Sequence, residues 1–246
     1  MKPLIVANWK MNPPNQKEAK RLFSLVKNRL RKVKRTEAII CPPFLYLSML
    51  DGSSPGSQNC FWEKKGAYTG EVSPAMLRNL GCKYVIVGHS ERRKYLAETD
   101  EMINKKIKAA LKEKLNPILC VGETRTERDR GKTETVLKRQ IISDLKNISG
   151  EKISKGFTIA YEPVWAIGTG NPCDIEEAQK MGLLIRKIIS GLYSSTISKK
   201  IRILYGGSVN SKNAAAYIKE AGFQGLLVGG ASLDAKEFIQ IVKSAI

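Results

Sequence analysis

Short apolar segments alternate with longer amphipathic stretches along the whole chain, and this alternation limits the possible folds more than any other feature. Strands that alternate with helices of ten or more residues are typical of βαβ units, in which a parallel sheet is buried on both faces. The apolar segments predict strands at Leu4–Ala7, Ala38–Cys41, Tyr84–Val87, Pro117–Val121, Phe157–Tyr161, Ile201–Tyr205 and Gly225–Val228. The amphipathic stretches predict helices at Asn15–Lys32, Asp100–Lys114, Lys132–Lys146, Asp174–Leu192, Ser211–Ala221 and Asp234–Ser244.

An eighth strand is expected between Leu50 and Asn59, although the Gly, Ser and Pro residues there would normally indicate a loop. We place a weak third strand near Ser54–Gln58. Eight strands in one continuous domain of residues 1–246, without a linker or a low-complexity segment, favour a closed (β/α)₈ barrel over an open doubly wound sheet. The first strand is not followed by G-x-G-x-x-G, which also disfavours a dinucleotide-binding sheet.

The composition excludes several classes of protein. The chain has 246 residues, and it has no apolar run near the ~20 residues of a membrane span. Its first residues are too polar for a secretory signal, so we expect a cytoplasmic protein. The five cysteines form no C-x-x-C pair and there is one histidine, which argues against a disulfide framework and against metal ligation by imidazoles. We expect free thiols and no metal.

The net charge of +19 has two interpretations. It is densest at Lys27–Arg35 (KNRLRKVKR), and such a surface attracts polyanions. Apolar residues in and before this stretch nevertheless follow helical spacing, with Leu22, Val26, Leu30 and Val33 facing inward, and no groove-reading motif accompanies it. We favour a solvated helix face and keep secondary polyanion binding as the alternative.

Residues with catalytic chemistry follow several predicted strands. Barrels carry out their chemistry at the carboxyl ends of the strands, so these residues should converge on one mouth. They are Asn8 and Lys10 after the first strand, His89 and Glu91 after the fourth, Glu162 after the sixth, Gly206-Gly207-Ser208 after the seventh and Gly229-Gly230 after the eighth.

Each of these residues has a structural alternative. A lone lysine is usually a surface residue, but Lys10 shares a side of the chain with Asn8 under strand alternation. A lone histidine is more often a satisfied, partly buried side chain. His89, however, precedes a predicted helix start, where N–H groups disfavour a positive charge, so we expect a neutral imidazole near pH 7.

The segment after Glu162 reads PVWAIGTG, an apolar stretch between a proline and two glycines. A rigid apolar piece between hinge residues is typical of a closing lid, and a static buried loop is the alternative. A single Gly-Gly pair is a weak signal. Pairs after both the seventh and eighth strands indicate a phosphate site, because backbone N–H groups there can approach an anion.

Taken together, these residues predict a barrel that binds a small phosphate monoester and presents a carboxylate base, a neutral imidazole and a cation. Without a cofactor or a metal, the available chemistry is proton abstraction next to a carbonyl, with stabilisation of the oxyanion. That chemistry is an aldose–ketose isomerisation.

The chain resembles the triosephosphate isomerase family from end to end. The resemblance rests on seven motifs in order: ANWKMN at Ala7, GAYTGEVSPAML at Gly66, YVIVGHSERR at Tyr84, CVGET at Cys120, AYEPVWAIGTG at Ala160, YGGSVN at Tyr205 and VGGASL at Val228. It implies a cofactor-independent enzyme of glycolysis and gluconeogenesis that interconverts dihydroxyacetone phosphate and glyceraldehyde 3-phosphate.

The resemblance also implies a role for each candidate residue. Glu162 would move the proton, His89, Lys10 and Asn8 would handle the enediolate oxygens, and Glu91 would support the lysine. The phosphate would be bound at Gly168, Ser208, Gly229 and Gly230 once the lid closes.

The family implies a homodimer in which the loop Gln58–Glu71, with Thr69 at the contact, inserts beside the partner's active site. Phe61, Trp62 and Tyr68 give this loop more apolar surface than a free loop should expose. Two features depart from the family: the weak third strand and the high net charge. Two other functions remain possible from the residues alone, namely a phosphosugar epimerase on the same fold and a non-catalytic polyanion-binding barrel.

Overall fold

The core of the fold is an eight-stranded parallel sheet. The computed structural model describes residues 1–31, 33–50 and 55–245. The strands are β1 (Leu4–Asn8), β2 (Glu37–Cys41), β3 (Gly56–Ser57), β4 (Tyr84–Val87), β5 (Asn116–Val121), β6 (Thr158–Tyr161), β7 (Arg202–Tyr205) and β8 (Gly225–Val228). Hydrogen-bonded neighbours follow the order β2-β1-β8-β7-β6-β5-β4-β3, and the strand pairs are parallel. The sheet curls into a nearly closed barrel, so the predicted (β/α)₈ fold is confirmed.

The predicted third strand is present, but it is only two residues long. It lies against β2 so closely that a Cβ atom on Gly56 would sit 2.4 Å from Cys41 Sγ. An apolar side chain therefore has no room there, which explains why the sequence signal is weak. Gln58 follows β3 and donates from Nε2 to Cys41 O at 2.8 Å, so a side chain links the two strands where the barrel closes. Ser54, the first residue of the predicted strand, lies outside the described residues.

The helices surround the barrel. They are α1 (Gln16–Leu30), α2 (Pro74–Asn79), α3 (Ser90–Tyr95), α4 (Asp100–Lys112), α5 (Arg125–Asp129), α6 (Thr133–Asp144), α7 (Gly150–Ile153), α8 (Ile175–Leu192), α9 (Ser195–Lys200), α10 (Ala214–Lys219) and α11 (Ala235–Ser244). The six predicted helices are present, with small shifts at their ends; Lys32, the last residue of the first prediction, lies outside the described residues. The helix α3 begins directly after His89, as predicted. The short helices α2, α5, α7 and α9 were not predicted, because four to six residues are too few for an amphipathic pattern to emerge.

The start of α10 differs from the prediction by three residues. Asn210 Oδ1 accepts hydrogen bonds from the backbone N–H groups of Lys212 and Asn213, at 2.9 and 3.1 Å. These bonds form a turn in place of the first helical turn. The N-terminus of α10 therefore lies three residues further from the paired glycines than predicted.

Alternate residues of the strands pack into two apolar layers. Residues such as Val6, Ile86 and Leu204 fill the barrel interior, whereas their neighbours in sequence pack outward against the helices. On α1, Leu22 and Val26 are buried and Leu30 is partly buried against this outer layer, as predicted from their spacing. Val33, which was predicted to continue this face, lies beyond the end of the helix and is also partly buried. Within the described part of the chain, no helix has the length and apolar character needed to cross a membrane.

Candidate active site

A cavity of about 260 Å³ opens at the carboxyl ends of the strands. It is lined by most of the candidate residues from the sequence: Asn8, Lys10, His89, Glu162, Gly168, Gly206, Gly207, Ser208, Gly229 and Gly230. Glu91 is not part of this lining, but it contacts Lys10 and His89, which are. A larger cavity of about 560 Å³ lies between α1 and α11 and contains none of these residues.

Lys10 follows β1 and is fixed at both its backbone and its side chain. Its backbone lies in the left-handed region, with φ of 53°, which is unfavourable for a lysine. Such unfavourable backbone conformations are often found at functional sites. Two hydrogen bonds hold it: Lys10 N donates to Asn8 Oδ1 at 3.1 Å, and Gln58 Nε2 donates to Lys10 O at 2.9 Å. The ammonium group forms an ion pair with Glu91, which turns it towards the cavity mouth.

His89 is buried and caps the first turn of α3. Its Nδ1 accepts a hydrogen bond from Glu91 N at 3.2 Å, and its Nε2 lies 3.1 Å from Glu162 Oε1. A ring nitrogen that accepts a backbone N–H bond carries no hydrogen, so the remaining hydrogen belongs on Nε2. The Glu91 N–H group thus orients the ring so that Nε2 is directed at the Glu162 carboxylate.

Glu162 is only 2% exposed and lies directly after β6. Its Oε2 accepts from Ser90 N at 2.9 Å, while Oε1 faces His89. Gly122, after β5, lets the glutamate sit this deep, because a Cβ there would approach Glu162 O to 1.7 Å. The charge of Glu162 contributes, after burial itself, to raising the pKa of the neighbouring Cys120 thiol.

The segment 163–173 covers one side of the cavity. Gly168 and Gly170 have φ of 69° and 75°, a backbone conformation in which glycine is strongly preferred. Trp165 Nε1 donates to Glu123 Oε1 at 2.7 Å, and Ser208 Oγ donates to Ala166 O at 2.7 Å. A few directional bonds to the barrel therefore hold the segment, whereas 168–171 lies at the surface.

The paired glycines after β7 and β8 leave room for other groups. A Cβ on Gly206 would lie 3.1 Å from Glu162 Cγ, and one on Gly207 would lie 2.3 Å from the Tyr205 hydroxyl oxygen. The Lys10 side chain passes over Gly229, so any Cβ there would be in contact with it. Close approach, rather than a positive φ, therefore accounts for Gly206 and Gly207, whereas a Cβ on Gly229 would make only ordinary contact with Lys10 and one on Gly230 would meet no atom within 4 Å.

Comparison with known proteins places this chain in a family. The sequence model of the family described as triosephosphate isomerase matches residues 3–245. A relative from Dictyoglomus thermophilum, named triosephosphate isomerase, is 50% identical over 98% of each chain. One of the same name from Carboxydothermus hydrogenoformans is 47% identical over 100% of this chain and 99% of its own.

The fold comparison agrees with the sequence comparison. The crystal structure of triosephosphate isomerase from Bartonella henselae superposes with a TM-score of 0.88 at 34% identity, covering 99% of both chains. The chain belongs to the triosephosphate isomerase family. The family match and the similarity to these isomerases confirm the predicted activity, an aldose–ketose isomerisation between dihydroxyacetone phosphate and glyceraldehyde 3-phosphate.

Three residues that support this isomerase site were not singled out in the sequence. Ser90 and Gly122 hold Glu162, and Glu123 binds the covering segment. Glu123 is fully buried, accepts from Tyr161 and Trp165, and has its pKa raised by burial. The signal was present in two of the quoted motifs: Ser90 lies in YVIVGHSERR, and Gly122 and Glu123 lie in CVGET.

Proposed function

We propose that Glu162 moves the proton between the two carbons of the triose phosphate while His89 and Lys10 stabilise the enediolate. The observation that carries this proposal is the arrangement of Glu162 and His89, whose reactive atoms are 3.1 Å apart at the cavity wall. A bound substrate would replace this direct contact, so that its acidic C–H group meets the Glu162 carboxylate and its carbonyl oxygen accepts from the Nε2 N–H group of His89. This is the geometry that proton abstraction next to a carbonyl requires.

The cation and the amide at the end of β1 serve the same oxygen atoms. Lys10 brings a positive charge to the cavity mouth, and Asn8 uses its carbonyl oxygen to fix the lysine backbone, which leaves its amide nitrogen free to donate. Glu91 positions both neighbours, since it pairs with the ammonium and donates its backbone N–H to His89. Preorganised donors of this kind stabilise an oxyanion in a site shielded from water.

The phosphate would be held by the glycine-rich turns of the cavity. Gly168, Ser208, Gly229 and Gly230 line the cavity there, and a short 3₁₀ helix begins at Gly230. Closure of the segment 163–173 would add the N–H group of Gly168 and exclude water, which would otherwise promote loss of phosphate from the enediolate.

A coupled assay of glyceraldehyde 3-phosphate conversion tests the proposal. We expect turnover without added cofactor or metal, and competitive inhibition by a small phosphate compound that mimics the enediolate. A phosphosugar epimerase would instead invert a pentose phosphate and ignore the triose. A protein that binds polyanions but turns over no triose phosphate would contradict the proposal.

We also propose that the chain acts as a cytoplasmic homodimer through the loop Gln58–Glu71. Phe61 stacks on Trp62 at 4.0 Å and packs near Tyr68, which is 44% exposed. Other apolar residues near the same mouth, such as Met11 and Leu45, are largely exposed. A partly exposed aromatic cluster of this kind is typical of an interface. Gln58 also donates a hydrogen bond to Lys10 O. Docking of the loop onto the partner subunit would therefore help to fix the position of Lys10.

The dimer can be tested by sedimentation. We expect a dimer at micromolar concentration, and a shift to monomer in Tyr68→Asp protein because a carboxylate would be buried in the contact. Leu183→Asp is the matched control, since Leu183 is 64% exposed on α8 and lies outside the proposed interface. A wild-type monomer at micromolar concentration would contradict the proposal.

The net charge of +19 should accelerate capture of the anionic substrate. We expect kcat/KM to fall about three- to tenfold as potassium chloride shortens the Debye length from about 30 Å to about 10 Å. The effect should lie in kcat/KM and spare kcat, because screening acts on encounter. A kcat/KM that does not change with ionic strength would rule out steering.

A further inference from the structure

The segment that covers the active site rejoins the barrel at Cys173. This residue is buried and directly precedes Asp174, which caps α8. Both of its backbone polar groups are bound by tyrosine hydroxyls: Cys173 N donates to the Tyr205 oxygen at 3.1 Å, and the Tyr217 hydroxyl donates to Cys173 O. One peptide position at the end of the segment is therefore held from both sides.

The two tyrosines form a single unit. Their rings stack with centroids 3.7 Å apart and an angle of 12° between the planes, and both side chains are buried. Tyr205 is the last residue of β7, immediately before Gly206 and Gly207, whereas Tyr217 comes from α10. The pair thus joins the phosphate turn, the helix behind it and the end of the covering segment.

Both hydroxyls remain protonated at any ordinary working pH. Burial raises the pKa of Tyr205, and the interaction with Tyr217 raises it further. Burial also raises the pKa of Tyr217, against a smaller opposing effect of Tyr205. Tyr217 therefore has a hydrogen to donate to Cys173 O whenever the enzyme is active.

We propose that Tyr217 is a positioning residue for the isomerisation, and that its hydroxyl fixes the end of segment 163–173 so that the segment closes over the phosphate in one geometry. The proposal rests on the lid role given above to this segment. Tyr217 does not line the cavity, so it acts through Cys173. If the ring served packing alone, phenylalanine would serve equally; the bond to Cys173 O requires the hydroxyl.

Tyr217→Phe removes this bond and keeps the ring. We expect kcat/KM to fall about three- to tenfold, which corresponds to the loss of one buried hydrogen bond. The fall should come mainly from a higher KM, because a loosely held segment has more freedom to lose on closing. Release of inorganic phosphate per isomerisation should rise severalfold, because closure excludes water less completely. Both effects should persist from about pH 6 to about pH 9, since neither hydroxyl ionises there.

Tyr193→Phe is the matched control. Tyr193 lies at the far end of α8, and its hydroxyl donates to Ile148 O at 3.0 Å, remote from the active site. This variant loses a bond of the same kind, so its melting temperature should fall by a similar amount while its kinetics and phosphate release stay at the wild-type values. Near-UV circular dichroism of both variants verifies that the tertiary structure is retained.

The outcomes separate positioning from packing. A Tyr217→Phe enzyme with wild-type KM and phosphate release would overturn the proposal, and so would equal kinetic changes in Tyr193→Phe. A wild-type protein that converts no triose phosphate would overturn the proposed function and, with it, the role of Tyr217. That result appears before any variant is compared, so the two failures are distinguishable.

Discussion

Glu162→Gln protein is expected to isomerise triose phosphate at least about a thousandfold more slowly than the wild type. The amide cannot accept the proton, whereas its shape matches that of the carboxylate. Its carbonyl oxygen can still accept the hydrogen bond from Ser90 N, whereas its NH2 group replaces the Oε1 atom that faces His89 Nε2. The coupled assay with saturating glyceraldehyde 3-phosphate should therefore show a lower kcat. The far-UV circular dichroism spectrum should match that of the wild type.

Glu151→Gln controls for purification and for the general effect of removing a carboxylate. The Glu151 side chain is 80% exposed and pairs with Lys155 four residues away. The activity of the Glu151→Gln protein should therefore equal that of the wild type. The Glu162→Gln preparation also sets an upper limit on contaminating host isomerase. Retention of more than about a tenth of the wild-type kcat would show that another group acts as the base.

Lys10→Met should lower kcat/KM by at least about a hundredfold. Among the described residues that line the cavity, Lys10 is the only lysine or arginine, so its loss removes the positive charge from the reaction site. Methionine retains much of the length of the side chain. Glu91 loses its partner but is 41% exposed and can be hydrated, so the stability cost should stay small, about 1 kcal/mol or less. Steady-state kinetics and thermal unfolding measure the two effects.

Lys64→Met separates this local role from the overall field of the protein. Lys64 is 74% exposed and pairs with Glu113 at 3.8 Å, so both variants lose one unit of positive charge. If the lysine acts only by attracting an anion over distance, the two variants should show similar small decreases. A much larger decrease in Lys10→Met, still present at high salt, is the expected result; a decrease below about tenfold would argue against direct contact with the oxyanion.

Much of the site could be predicted because its residues lie at strand ends. The alternation of short apolar runs and amphipathic stretches is a local property, and parallel strands bring their carboxyl ends to one mouth. This reasoning located Lys10, His89 and Glu162 without any knowledge of which strand pairs with which. It was weakest at β3, where Gly56 must be small to let β2 approach and so carries no apolar signal.

The sequence by itself determined the barrel, the identity of the reactive groups and the mouth at which they meet. Buried faces of strands and helices produce periodic patterns of apolar residues, and the reactive residues follow the predicted strands. Only the tertiary structure decided which groups touch. Glu162 and Ser90 are separated by 72 residues, Lys10 and Glu91 by 81, and Tyr217 and Cys173 by 44. Such contacts depend on strand register and on how the barrel closes, and a hydrogen bond between distant residues leaves no pattern in either local segment.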